Sequence, residues 1–183
     1  MKVSRMDIPD VLLIEPRVFE DSRGYFFESF NEASWKEHCG FVPKFVQDNE
    51  SMSHKGVLRG LHFQAPPHAQ AKLVRVIRGA VYDVAVDLRI GSPTYGKWCA
   101  AELSAHNKRQ LYIPEGFAHG FLVLEDSSIF SYKCSDLYHR ESEGAIKWDD
   151  PELGIQWPEK SPLISDKDRL HASPFNSFES PFT

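Results

Sequence analysis

The chain has 183 residues, with 26 acidic and 21 basic side chains and a formal charge of -5. That length suits one domain spanning 1–183, and the acidic balance argues against a nucleic acid polymer as partner. The longest early apolar run, Val11 to Ile14, is too short for a signal peptide or a membrane span, and three scattered cysteines (Cys39, Cys99, Cys134) suggest no disulfide framework, so a cytoplasmic protein is expected.

In chain order, the N-terminal third is unusually aromatic. Phe26, Phe27 and Phe30 exceed what a minimal barrel buries and call for an additional apolar contact. Asn31 as N-cap and Gly40 as stop predict a helix over Glu32–Cys39. The stretch "GVLRGLHFQ", Gly56–Gln64, reads as a strand that carries Arg59 and His62 among apolar residues. Simple alternation would send those two side chains to opposite faces. Gly60 permits a bulge that aims both into one cavity.

Next comes "LVRVIRGAVYDVAVDLR", Leu73–Arg89, rich in β-branched residues and cut by Arg78-Gly79. The pattern predicts a hairpin in which Lys72 faces Ala85 and Val74 faces Asp83. Lys72 and Asp83 are then diagonal neighbours, either as a structural ion pair or as the wall of a polar pocket. Further short strands are predicted at Gln110–Ile113, Gly120–Leu124 and Ser128–Cys134. Ser165 opens a second short helical turn, and the Pro- and Ser-rich C-terminus reads as an irregular arm. Many short strands separated by turn residues predict an all-β barrel or sandwich with few helices.

Polar groups that could serve chemistry recur along this frame. The segment "PEGFAHGF" supplies His119 after a Pro–Gly turn. Amide and acidic groups come from "FVQDNES", as Gln47, Asp48 and Asn49, and from "ISDKDRL", as Lys167 and Asp168. Ser165 and Asp168 also fit a capping box, which gives Asp168 a purely structural alternative.

The pairing of "GVLRGLHFQ" with "PEGFAHGF" resembles the cupin superfamily, whose fold is a double-stranded β-helix, or jelly-roll, barrel. Metal-binding cupins place two histidines one residue apart. Here the second position is Gln64, and His68 follows only after "APP", so no metal site is expected there. A rival reading sets His62, His68 and His119 around one ion. More specifically, "FEDSRGYFFESF", "QDN", "RGLHFQ", "YIPEGFAHGF", "YKCSDLY" and "SDKD", in that order, resemble the dTDP-4-dehydrorhamnose 3,5-epimerase family over nearly the whole chain.

The resemblance implies an isomerase without cofactor. It would invert carbons 3 and 5 of a dTDP-4-dehydro-6-deoxy sugar in dTDP-L-rhamnose biosynthesis, which feeds cell envelope polysaccharide. A related enzyme that inverts only one of those carbons is the alternative, and a metal-dependent cupin enzyme a more distant one. The resemblance assigns His62 as base, Asp168 as its orienting carboxylate and Tyr132 as proton donor. Lys72 would steady the alkoxide on carbon 4, with Asp83 holding it charged. Substrate contacts are implied for Arg23, Glu28, Gln47, Asp48, Asn49, Arg59, His119, Tyr138, Glu143 and Lys167, with Phe19, Phe26 and Tyr138 as stacking candidates for the base. A homodimer is expected, its N-terminal strands pairing with the partner's sheet and placing Arg23 and Glu28 in the neighbour's site.

Overall fold

A computed structural model describes all residues, Met1–Thr183. The chain begins with β1 (Lys2–Arg5), β2 (Leu12–Glu15), β3 (Phe19–Asp21), β4 (Gly24–Phe26) and helix α1 (Glu32–Cys39). Strands β5 (Gln47–Ser53), β6 (Leu58–Gln64), β7 (Lys72–Arg78), β8 (Ala80–Asp87), β9 (Trp98–Ser104), β10 (Gln110–Ile113), β11 (Phe117–Val123) and β12 (Ser128–Cys134) follow. The last strand is β13 (Glu143–Ala145) and the last α-helix is α2 (Asp166–His171). A six-stranded sheet, ordered β1-β2-β10-β7-β12-β5, faces a five-stranded one, ordered β13-β6-β11-β8-β9, in a β jelly-roll. Strands β3 and β4 form a separate two-stranded ribbon.

Local chemistry sets the helices as expected. Asn31 accepts a hydrogen bond from the Ser34 amide, and the left-handed Gly40 closes α1 by donating to the Lys36 carbonyl. Ser165 caps α2 by accepting from the Asp168 amide.

The hairpin over Leu73–Arg89 does not form. Both strands exist, but β7 pairs with β10 and β12 while β8 pairs with β11 and β9. Gly79, at φ +78°, carries the chain from one sheet to the other, where an added Cβ would meet the Ser128 side chain. The reason lies in burial. Inward from the five-stranded sheet, Val81, Ala85 and Phe121 meet Val74, Val76 and Phe130 of the other sheet. Outward, Val84 and Val86 lie under Phe182, Trp157 and Phe178 of the C-terminal arm. A strand buried on both faces loses its alternation, so the sequence pattern does not say which strand it pairs with. The outer face of the six-stranded sheet is covered in turn by Trp35 of α1 together with Phe30 and Phe45. Phe30 thus finds its core within the chain, whereas Phe19, Tyr25 and Phe26 of the ribbon are exposed.

At the end of β8 the wholly buried Asp87 collects donors from the Arg89 guanidinium, the Arg89 amide, Ser92 Oγ and Thr94 Oγ1. Burial pushes its carboxyl up, but these donors outweigh it and hold the pKa at about 2, against an ordinary 3.8. Because the folded value is depressed, the resulting stability is present above the unfolded value and fades as pH falls toward 2. Linkage puts it at about 2 kcal/mol. Asp87→Asn is expected to cost roughly 2–3 kcal/mol at pH 7, with the gap narrowing below pH 4. Urea unfolding across that range checks it; a difference that stays constant down to pH 2 would exclude the carboxylate charge as its source.

Candidate active site

A cavity of about 230 Å³ opens between the two sheets. Its walls include His62 on β6, Lys72 on β7, and Tyr132 and Cys134 on β12. Gln47 and Asn49 of β5 and the Tyr138–Glu143 pair also belong to them.

The aim of His62 depends on a bulge. His119 pairs with His62 and Phe121 with Arg59, so β6 fits three steps against two of β11. The extra residue falls beside Gly60, as the sequence suggested. Gly60 sits at φ +125°, where an added Cβ would run into the Gly120 backbone and the His119 carbonyl of the neighbouring strand. Beyond it the Arg59 Nε donates to Ser53 Oγ at 3.1 Å, and its guanidinium field reaches Tyr132.

Asp168 comes back from 106 residues away to lie 2.5 Å from His62 Nε2. Both flanks of α2 are stitched to the barrel. Leu163 exchanges backbone bonds with Gly56 and Leu58, and Ser173 does so with Ala145 and Lys147. The Asp168 side chain is 5% exposed and that of His62 32%, so the carboxylate is sealed while the imidazole stays open to the cavity. Burial is the largest influence on Asp168 and pushes it up. The hydrogen bond and charge of His62, followed by the Ser165 hydroxyl and the field of Lys167, prevail and leave it below its ordinary value. The capping box is therefore only half made: Ser165 caps the helix, and the Asp168 carboxylate serves His62. With Nε2–H donating to Asp168, Nδ1 is the ring nitrogen left with a free lone pair.

Facing His62 across the cavity, Tyr132 and Lys72 rise from the other sheet. Burial raises the Tyr132 phenol, against the lowering field of Arg59, so it stays protonated at neutral pH. Burial also pulls the Lys72 ammonium down, while Cys134, Asp83 and Glu143 pull it back up. Glu143 accepts from Lys167 at 2.6 Å and from the Tyr138 hydroxyl at 2.9 Å.

Several expected placements need correction. Asp83 is not a cross-strand neighbour of Lys72, because their strands belong to opposite sheets. Its two oxygens accept from His119 Nε2 at 3.0 and 3.1 Å, and Lys72 feels it only through space. His119 is buried between Asp83 and Phe130 and does not line the cavity. Asp48 points away from it and bonds Lys133, since alternation along β5 gives the cavity Gln47 and Asn49. Arg59, expected to share the cavity with His62, is exposed and outside its lining, and Arg23, Glu28, Phe19, Phe26 and Lys167 also lie outside it. Arg23 bonds Asp21 on the exposed ribbon, and Glu28 accepts from Asn31. The triad His62, His68 and His119 is not assembled, because His68 turns instead to Asp136 and His139.

Phe63, Gln64, Gln70 and Cys134 line the cavity without having been singled out from the sequence. For two of them a signal was there. Gln64 lies two residues from His62 and Cys134 two from Tyr132, so strand periodicity puts each on the face of a residue already chosen, whereas Gln70 precedes β7 and has no such signal.

The bulge makes a direct prediction. In Gly60→Ala the new Cβ would stand 2.5 Å from the Gly120 Cα, at a φ that L side chains rarely adopt. We expect a loss of about 3 kcal/mol or more and a misdirected His62. Gly56→Ala, also at positive φ but in open space, should cost only about 1–2 kcal/mol. Thermal unfolding of the two variants checks the contrast; equal losses would show that the close approach of β6 and β11 does not matter.

Known proteins bear on this geometry directly. The family model described as dTDP-4-dehydrorhamnose 3,5-epimerase matches residues 5–175. The enzyme of that name from Pseudomonas aeruginosa is 58% identical over 170 residues, covering 92% of this chain and 93% of its own. The one from Shigella flexneri is 56% identical over 168 residues, again 92% and 93%. A dTDP-6-deoxy-D-glucose-3,5-epimerase of Legionella pneumophila, solved in complex with dTDP-4-keto-L-rhamnose, superposes with a TM-score of 0.92. It is 47% identical and covers 97% of this chain and 94% of its own. On fold, family model and identity together, this chain belongs to the dTDP-4-dehydrorhamnose 3,5-epimerase family.

Proposed function

We propose that the cavity inverts carbons 3 and 5 of dTDP-4-dehydro-6-deoxy-D-glucose, giving dTDP-4-dehydro-L-rhamnose for rhamnose synthesis. The observation that carries it is the placement of a carboxylate-bonded imidazole on one sheet and a tyrosine phenol on the other, with the cavity between. Inversion needs a proton to leave one face of the sugar and another to arrive on the opposite face.

In this reading His62 Nδ1 takes the proton from the carbon beside the ketone. The electron pair moves onto the carbon-4 oxygen, where the Lys72 ammonium balances it. Lys72 forms no ion pair within the chain, which leaves its donors free for that oxygen. Asp168 steadies the imidazolium. Tyr132 delivers its proton to the other face, and solvent restores both groups. The same cycle then serves the second carbon. No bond to a cofactor is made and nothing is oxidised.

Arg59 and Lys167 supply charge for the diphosphate, and Gln47 and Asn49 supply amides for the thymine edge. Asp48 and His119 act from outside the cavity. Arg23 and Glu28, with Phe19 and Phe26, reach the site of a partner subunit in a homodimer, which the exposed ribbon supports. Residues 1–183 act as one domain, with Tyr138 and Glu143 at the cavity edge. No helix is long and apolar enough to cross a membrane, and the three free thiols suit a reducing cytoplasm.

Proton NMR of the 4-keto sugar nucleotide in heavy water tests the chemistry. Exchange at both carbons is expected; exchange at one alone would favour the narrower epimerase. His62→Ala should lose about a hundred- to ten-thousand-fold in rate, with Asp168→Asn also slow. In Tyr132→Phe the fold should persist, and deuterium should still wash in through return to the original face while inversion collapses. A wash-in to inversion ratio equal to wild type would remove Tyr132 as the acid.

The shared site is tested by mixing. Arg23→Ala and His62→Ala chains should each be impaired as homodimers. After subunit exchange at equal amounts, half the dimers are mixed and each holds one intact site of two, so about a quarter of wild-type activity should return. No recovery, with exchange verified by native mass spectrometry, would place Arg23 in the site of its own chain, and an unimpaired Arg23→Ala homodimer would place it outside the site.

A further inference from the structure

Beside the cavity, two loops bring together a group of side chains that the epimerase chemistry does not use. His68 follows β6, and Asp136 and His139 follow β12. One ligand atom from each of the three lies within 4.8 Å of the other two. The His68 and His139 rings stack at 3.4 Å and 8°, and His68 Nδ1 lies 3.1 Å from Asp136 Oδ2. His139 Nδ1 lies 3.2 Å from Glu141 Oε1. We propose that His68, Asp136 and His139 form a binding site for a divalent transition-metal ion of the zinc type, distinct from the His62 cavity.

Three observations carry this. The donor set is two imidazoles and a carboxylate, the combination that suits zinc, cobalt or nickel and not calcium or magnesium. The Asp136 carboxylate is oriented toward the imidazoles, its Oδ1 accepting from the Leu137 amide at 2.8 Å while its Oδ2 lies 3.1 Å from His68 Nδ1. Glu141 on His139 supplies the outer carboxylate that fixes a ligand imidazole and leaves its other nitrogen for the ion.

The backbone of both loops is already set. The Gln64 side chain donates to the His68 and Leu137 carbonyls and accepts from the His139 amide. Gln70 donates to the Asp136 carbonyl. Binding therefore needs only side-chain motion: parallel rings cannot both point their lone pairs at one ion, so an imidazole must turn about its Cβ–Cγ bond. Tyr138 lies between two of the ligands and bonds Glu143 at the cavity edge, so the ion would tie down the loop that carries a cavity wall. It would act as a clamp and take no part in proton transfer.

Cobalt(II) titrated into chelator-treated, tag-free full-length protein is the test. We expect one equivalent to bind with visible bands of a low-coordinate N/O site, and zinc to displace it. His68→Asn/His139→Asn should weaken binding at least a hundredfold, and His62→Ala should leave it unchanged. Imidazole ¹⁵N–¹H spectra of the wild type with zinc should shift His68 and His139, which keeps the test decisive even if the double variant misfolds. Binding weaker than about 1 mM, binding unaffected by the double variant, or zinc shifts confined to His62 or to surface histidines such as His54 would overturn the proposal.

Discussion

The 2.5 Å contact between His62 and Asp168 is the constraint on which the site's other geometry depends. A carboxylate sealed from water is costly unless something pairs with it. Here the pairing group is an imidazole on a different element, and the contact survives only if α2 is held in place from both sides. The parallel bridges Val57–Leu163 and Ile146–Ser173 do this, joining the C-terminal arm to β6 and to the segment after β13. Loss of either bridge would free α2 to carry the carboxylate away from His62. The arm's aromatic residues then have a second role. Phe178 and Phe182 pack on Phe63, one residue along β6 from His62, so the packing that covers the outer sheet face also steadies His62.

Beneath the cavity lies a second buried polar group, Asp83 with His119. Burial pushes the Asp83 carboxyl up and the His119 imidazole down, while their attraction opposes both shifts. Phe121 and Phe130 stack on each other at 4.0 Å beside the imidazole and exclude water from it. Such a pair is poor as a source of stability compared with apolar packing, but its field does reach Lys72. The carboxylate thereby favours the charged ammonium without occupying its donors. In the proposed chemistry this is what an electrophile needs: charge maintained from behind and hydrogen-bonding capacity left in front.

How much of this the sequence revealed follows from which signals are local. Asn31, Gly40 and Ser165 act within four residues of themselves, and they placed both helices correctly. Gly60 likewise announced the bulge, because only one residue there had to be unusual. The partnering of β7 and β8 was not legible. A turn between two apolar strands reads alike whether the second strand folds back beside the first or crosses to the facing sheet, and burial of β8 on both faces erased the alternation that distinguishes them. Asp48 shows the same limit on a smaller scale. Its neighbours Gln47 and Asn49 reach the cavity, and only the phase of β5, set by its pairing with β12, turns Asp48 outward.

The homodimer proposed above would account for the size of the cavity. At about 230 Å³ it falls below the roughly 300–1,000 Å³ of sites that enclose ligands of drug size, and a sugar nucleotide is at least that large. The walls present are those the proposed proton transfer would use, whereas bidentate cations for a diphosphate are sparse: Arg59 is exposed and outside the lining, and Lys167 is engaged by Glu143. Meanwhile the β3–β4 ribbon holds Phe19, Tyr25 and Phe26 in the open, next to an arginine whose only ion pair is with its own neighbour Asp21. An exposed two-stranded ribbon with three large aromatic residues is marginal alone. The deficit at the cavity and the surplus on the ribbon are complementary in kind, one lacking apolar cover and cationic donors and the other exposing both. A twofold exchange of ribbons between two copies would settle both at once, and would make each active site the joint product of two chains.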